Sequence, residues 1–296
     1  MQLAQREKID HIARLLFRTT GLVVIAILAG IFFMLLWNTI AFFLNIKPLD
    51  FITGTQWNPS GRQASYGILP LLVSTCLVTL GAMVIAIPLS IGTAAFLSEY
   101  AGKRLKNILK PAIEMLAAIP SVAIGFLGIV VLGPGIASLS GQANGLNALN
   151  GAILLSIMAL PTIVTVAEDA LHGVPQSYKE ASYSVGATKW QTLTKVTIPA
   201  AAPGILAAVM LGVGRAIGET MTVLMATGNA SAFPKGFFHS VRTITATIAI
   251  EMGEVPYQTT HYYALFAIAA VLFLITLIVN LIGEHFVNKF RKFDAA

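Results

Sequence analysis

The run GLVVIAILAGIFFMLLWNTIAFFL, residues 21–44, contains no charged side chain. A helix crosses a hydrocarbon layer about 30 Å thick with about 20 apolar residues, so this run is long enough to span a bilayer. It is too long for the apolar core of a cleaved leader and no small-residue cleavage pattern follows it, so it reads as a retained helix. Working outward, the same signature recurs, and six spans are expected at about 20–44, 68–97, 112–137, 149–171, 200–228 and 263–287. Residues 115–167 carry no charge at all, yet Gly133, Pro134 and Gly135, then Gly141, Asn144, Gly145, Asn147 and Asn150, interrupt them as a loop would.

Composition points the same way. Of 296 residues 56% are hydrophobic and 11% charged, against about 45–50% and about 25% in soluble domains. The expected fold is all-α integral membrane, one transmembrane domain over residues 1–296. A net charge of +6 does not indicate nucleic acid, because the basic residues flank apolar runs and form no patch with interleaved aromatics. Cys76 has no partner in the chain, which excludes an intrachain disulfide and a Cys-based zinc site. The histidines 11, 172, 239, 261 and 285 lack ligand spacing, so no metal site is expected.

The basic residues instead set topology, since loops on the cytoplasmic side carry the excess of Lys and Arg. Fourteen fall on one side, including Arg6, Lys8, Arg14, Arg18, Lys103, Arg104, Lys106, Lys110, Lys179, Lys189, Lys195, Lys289, Arg291 and Lys292. Four fall on the other, Lys47, Arg62, Lys235 and Arg242. Both termini are therefore expected in the cytoplasm. The first 18 residues place Ile9, Ile12 and Leu16 on one helical face, which suits either a helix lying on the membrane surface or a solvated lead-in. Pro88, Pro120 and Pro161 fall inside spans and predict bends there.

The fifth span contains the costliest residues, in Gly212-Val-Gly-Arg215-Ala-Ile-Gly218-Glu219-Thr220-Met221. An Arg at mid-bilayer costs about 2.5–3.5 kcal/mol even on the lenient insertion scale, so it should face protein or water. Arg215 and Glu219 are four apart, which predicts a shared helical face and partial mutual neutralisation. Gly204, Ala208, Gly212 and Ala216 repeat every four positions, with a separate Gly214-x-x-x-Gly218 pair, and predict close helix packing.

Between the fourth and fifth spans, residues 172–199 include Glu180-Ala181-Ser-Tyr-Ser-Val-Gly186 and then Val196-Thr-Ile-Pro199. This segment predicts two short helices turning at Gly186 and ending at Pro199 and Pro203, with the character of a docking surface for a soluble partner. Glu-Ala, Gly186 and the following Val-x-Ile-Pro resemble the EAA loop of permease subunits in ATP-binding-cassette importers, with Ser182 in place of the usual second Ala. Leu97-Ser-Glu99-Tyr100, Ile119-Pro120-Ser121-Val122, Arg215-Ala-Ile-Gly-Glu219-Thr-Met221, Gly228-Asn229 and Val241-Arg242-Thr243 are similar to the PstC-type permeases of phosphate importers. The resemblance runs from about Trp57 to the C-terminus, and the related PstA-type subunit is the near alternative.

That resemblance implies a type I importer permease of the bacterial inner membrane with a set of partners. They are a second, PstA-like permease, two PstB-like ATP-binding subunits and a periplasmic PstS-like phosphate-binding protein. It places ATP on the partner subunits, with no cofactor on this chain. No Gly-x-x-x-x-Gly-Lys-Ser/Thr loop occurs, in keeping with that division. The implied pathway residues are Arg215, Glu219, Thr220 and Arg242. The expected mechanism has Glu219 holding Arg215 at rest and phosphate displacing it, because guanidinium matches phosphate oxygens bidentately. Arg242 either guides the anion or pairs with Glu251 or Glu254. The implied ATPase-coupling residues are Glu180, Ala181, Gly186 and Pro199. Sulfate or molybdate is the alternative cargo. An ion-coupled secondary transporter is the alternative class, although no inverted repeat supports it. An intramembrane hydrolase lacks a nucleophile and base pair.

Overall fold

The computed structural model describes the backbone of residues 2–293 and the side chains of residues 13–287. The side chains of Arg6, Lys8, Ile9, Asp10, Ile12, Lys289, Arg291 and Lys292 lie outside the described residues. Helix α1 runs from Gln2 to Phe43, α2 from Pro48 to Thr53, and a small antiparallel ribbon pairs β1 (Trp57–Asn58) with β2 (Ser65–Tyr66). Then come α3 (Leu69–Ala95), α4 (Lys103–Ala117), α5 (Ser121–Leu127), α6 (Gly133–Ser140) and α7 (Ala148–His172). The short α8 (Gln176–Ser184), α9 (Lys189–Thr192) and α10 (Ile198–Ala200) lead into α11 (Ala202–Gly218). The chain finishes with α12 (Met221–Ala226), α13 (Ile244–Glu251) and α14 (Thr260–Phe293).

Among the described residues five helical stretches are long and apolar enough to cross a membrane, at Ala13–Phe43, Leu69–Tyr100, Ser121–Ser140, Ala148–His172 and Thr260–Val287. Helix α11, 17 residues long, reaches span length only when counted with the segment before it, Lys189–Ala200, from which it bends by 71°. Set beside the expected spans these helices show three departures, one of them that the expected span 200–228 is two helices, α11 ending at Gly218 and α12 starting at Met221. The 1–18 lead is not a separate element, because α1 is one unbroken helix; Thr19 and Thr20 donate back to the Leu16 carbonyl, and no Gly or Pro between 13 and 20 offers a turning point. The third span begins at Ser121, not 112, because Pro120 ends the preceding helix instead of bending it. Proline has no N–H to donate and its ring pushes the preceding residue out of helical conformation. Pro88 and Pro161 do lie inside helices, α3 and α7.

At the centre α3 and α7 pack side by side in the same direction: Val78 is beside Gly151, Gly81 beside Ala152, and the Ser90 hydroxyl donates to the Leu160 carbonyl at 3.5 Å. Buried Ala82, Ala86, Ala94, Ala152, Ala159 and Ala167 allow this approach, since small side chains bring helix axes together where lipid gives no hydrophobic drive. Helix α11 crosses α7 in the opposite sense, with Gly204 against Ala170 and Gly212 against Ile163; a Cβ at either glycine would collide. The row Gly204, Ala208, Gly212, Ala216 is thus the packing seam. The other pair divides: a Cβ at Gly214 would make an ordinary contact with Asn280 Oδ1 of α14 at 3.7 Å, and one at Gly218 would meet nothing within 4 Å.

Helix α1 lies at the periphery against α14, joined by Phe32 and Phe273. Its far end, with Phe42, Phe51, Trp57 and Tyr66, forms an aromatic cluster at one end of the bundle. The other end, which carries α4, α8 and α9, is called the lysine-rich end below.

Candidate functional site

The expected ion pair within the fifth span is absent. Helix α11 stops at Gly218, Glu219 adopts extended backbone (φ −69°, ψ 133°), and a new helix starts at Met221. Arg215 and Glu219 therefore do not share a helical face, and no ion pair within 4.0 Å joins them. The Glu219 carboxylate turns forward to the start of α12, where its Oε1 accepts from the Thr222 backbone N–H (3.4 Å) and hydroxyl (3.2 Å). The buried Thr222 hydroxyl also lies 3.2 Å from the Ser121 carbonyl at the start of the third span. The Glu219 carbonyl accepts from Thr245 Oγ1 at 2.8 Å, in the first turn of α13. Glu219 thus satisfies the break it creates. Thr220 sits in the break and donates to the Gly218 carbonyl at 3.4 Å.

Arg215, in the last turn of α11, donates from Nη1 to Thr162 Oγ1 on α7 at 3.2 Å. Among the described residues no carboxylate lies within 4.0 Å of it. Its charge is offset instead by the negative end of the α11 dipole, which favours a cation in the final turn. What remains is a half-buried guanidinium inside a span, with one donor on Thr162 and no carboxylate within 4.0 Å among the described residues, beside an interruption in the helix.

Arg242, at the opposite end, is committed elsewhere. Its Nε donates to the Asn229 carbonyl (2.8 Å) and Nη1 to Glu251 Oε1 (3.0 Å). Glu251 also accepts from Trp57 Nε1 and meets His261 Nε2 at 2.8 Å. Of the two readings for Arg242, the pairing one has its partner in Glu251, and Glu254 takes no part. The Gly228-Asn229 turn has positive φ at both residues, and Gly228 bridges to Val241, which holds Arg242 in register.

At the lysine-rich end α8 and α9 are the two short helices expected. Gly186 has φ +80°, a conformation that costs L residues about 1–2 kcal/mol. A Cβ there would meet no atom within 4 Å, so the backbone and not the space requires glycine. Thr188 and Gln191 form a capping box that starts α9. Glu180, Ala181 and Pro199 are exposed together with Tyr178, Val185 and Trp190, the last at 64%. This is an apolar, aromatic surface on an ordered scaffold.

Beneath it lie ion pairs that sequence reading missed. Glu168, 1% exposed at the end of α7, receives Lys106 and Lys110 from α4. Its hydrogen bond holds the Lys110 ammonium above the usual lysine range. Glu99, at the end of the second span, receives Lys179 of α8. The one signal for Glu168 was its position as the first charge after the uncharged 115–167 stretch.

Comparison with known proteins adds the following. The family described as "Binding-protein-dependent transport system inner membrane component" matches residues 86–292. A probable ABC transporter permease protein YqgH of Bacillus subtilis is 37% identical over 96% of this chain and 93% of its own length. The phosphate transport system permease protein PstC of Pasteurella multocida is 33% identical, covering 95% of this chain and 94% of that protein. PstC 1 of Mycobacterium tuberculosis is 32% identical over 84% of each. Among solved structures, a bacterial alginate ABC transporter chain superposes with TM-score 0.62 at 16% identity, over 92% of this chain and 93% of that one. A chain of the inward-facing MetNI methionine ABC transporter gives 0.56 at 20%, over 76% and 94%.

Proposed function

This chain belongs to the binding-protein-dependent transport system inner membrane components and is a permease subunit of an ABC transporter; from that premise we propose that it carries inorganic phosphate inward, as part of a PstC-type importer. Relatives named for phosphate transport cover most of the chain at 32–33% identity. The observation that carries the reading is Arg215, an intramembrane guanidinium with no carboxylate within 4.0 Å among the described residues. Such a group in a partly desolvated setting selects an anion, and its planar fork suits the oxygens of a tetrahedral oxyanion.

In this mechanism Arg215 meets the anion directly. Glu219 holds open the helix interruption beside it, and Thr220, within that interruption, lines the pathway. Arg242, held by Glu251 and the Asn229 carbonyl, lines the outer mouth with its charge largely offset by that carboxylate. Cargo release requires that the Arg215 contact stay monodentate or water-shared at some stage, since a dry bidentate pair would trap the anion.

The lysine-rich end faces the cytoplasm, in accord with the excess of basic residues there, and both termini lie on that side. The whole chain forms one permease domain, and its 172–199 segment docks a PstB-like ATPase through the exposed surface around Glu180, Ala181 and Gly186, with Pro199 closing the segment. A PstA-like permease completes the pathway and a PstS-like protein delivers the anion. ATP binds to the ATPase subunits.

The test is uptake of radiolabelled phosphate by cells lacking the endogenous system and expressing the four-component assembly. Arg215→Gln at normal membrane level should abolish uptake, and excess unlabelled phosphate should compete while sulfate and molybdate do not. Equal competition by sulfate or molybdate would reassign the cargo.

A further inference from the structure

Two neighbouring residues of α8 look in opposite directions. Glu180 is exposed, whereas Lys179 turns toward the bundle and pairs with Glu99, the two side chains being 9% and 10% exposed. Glu99 belongs to a π-helical turn, Phe96–Tyr100, that ends the second span. A π turn carries one extra residue, so it rotates the side chains that follow, and such turns concentrate where function needs a departure from regular helix. The next residue of the same turn, Tyr100, has the Lys189 ammonium 4.9 Å above its ring centroid. Lys189 begins α9. Both short helices of the 172–199 segment therefore reach one turn of one span, and the Ser182 and Thr192 hydroxyls, 2.9 Å apart, join the two helices to each other.

A buried ion pair contributes little net stability, because desolvation offsets the attraction, but separating its partners is costly. It therefore fixes position. The second span, in turn, lies along α7, and α7 packs against the seam of α11 and accepts from Arg215, in the last turn of α11, through Thr162. A displacement of α8 at the docking surface thus has a short, stiff route into the helices that bear the intramembrane charge.

We propose that the Lys179–Glu99 pair is the strut through which the docking segment moves the bundle, with Lys179 a positioning residue for energy coupling. This rests on the reading of residues 172–199 as the ATPase-docking segment, though not on the identity of the cargo. The strut works by charge, so a neutral pair of similar shape should assemble and yet couple poorly.

The experiment uses the complete assembly in proteoliposomes, with inorganic phosphate loaded on its binding protein. The chain carries, in turn, the wild-type pair, Lys179→Met with Glu99→Gln, Lys179→Arg, and the exchanged Lys179→Glu with Glu99→Lys. Anion transported per ATP hydrolysed is the readout, with ATPase-subunit content measured alongside. The neutral pair should keep its ATPase subunits and lose about fivefold or more in that ratio, the lower end of ordinary coupling between sites. Lys179→Arg should retain the ratio and the exchanged pair should recover part of it. A neutral pair with the wild-type ratio overturns the inference, and so does one that sheds its ATPase subunits, which would make the pair a folding element. A wild-type chain that holds no ATPase would sink the docking reading itself, a result distinct from both.

Discussion

The break in the fifth span and the lysine-rich end handle charge in opposite ways. At the break, two charges four residues apart in sequence stay separate: Arg215 bonds to Thr162, and Glu219 serves the start of α12. At the lysine-rich end, carboxylates at 99 and 168 capture lysines 58 to 80 residues away. The structural end is closed by pairing and the intramembrane break is left open. A charge without a counter-charge inside a span is costly, and that cost is the premise of the anion-binding role proposed for Arg215.

The largest effect expected of any substitution is at Arg215. Arg215→Gln should lower phosphate uptake by about a hundredfold or more, the loss of a charge-assisted contact of roughly 3 kcal/mol, while Arg215→Lys should retain a small part of it. Because Glu219 is not the partner of Arg215, Glu219→Gln should reduce uptake far less; the amide oxygen can still accept from Thr222. Equal losses for the two variants would restore the view that they act as a pair.

Next in size is Glu168→Gln. It leaves Lys106 and Lys110 without their buried carboxylate and should destabilise the purified chain by about 1–3 kcal/mol, read as a lower midpoint in thermal unfolding. The sign of the pH dependence follows from Lys110. Its pKa is raised on folding by the Glu168 hydrogen bond, so its contribution is fully present below the ordinary lysine value and fades as pH rises through the raised one. The wild-type midpoint should accordingly hold across neutral pH and fall in strong alkali.

Gly186→Ala comes third. The positive φ should cost about 1 kcal/mol, shown as weaker co-purification of the ATPase with unchanged membrane level, and Gly186→Asn should be milder because asparagine tolerates that conformation. The smallest effect is expected at Gly218→Ala, where a Cβ meets no atom within 4 Å. Near-normal uptake there would agree with a break held by Glu219 and not by the glycine.

Much of this was legible in sequence because span length and small-residue rows are local properties. The run 148–172 and the seam at Gly204, Ala208, Gly212 and Ala216 are read directly from spacing. The break at Glu219 was hidden, since i, i+4 spacing implies contact only if the helix continues, and the groups that receive Glu219 instead, on Thr222 and Thr245, come from α12 and α13. At Pro120 the sequence signals a departure from helix without saying which kind; here α4 ends at Ala117 and Pro120 caps the start of α5, an end and not a bend. Pairs such as Lys179–Glu99 join distant residues and leave no periodic trace.

The division between an open charge in the bundle and closed charges at its lysine-rich end is tested most directly by one measurement, made on the reconstituted four-component assembly proposed above. ATP hydrolysis stimulated by loaded binding protein is recorded beside phosphate accumulation for Arg215→Gln. The expected result is accumulation near background with stimulated hydrolysis retained, the proposed anion pathway failing while the lysine-rich end still responds. Wild-type accumulation by that variant, or a parallel loss of stimulated hydrolysis in an intact assembly, would contradict it.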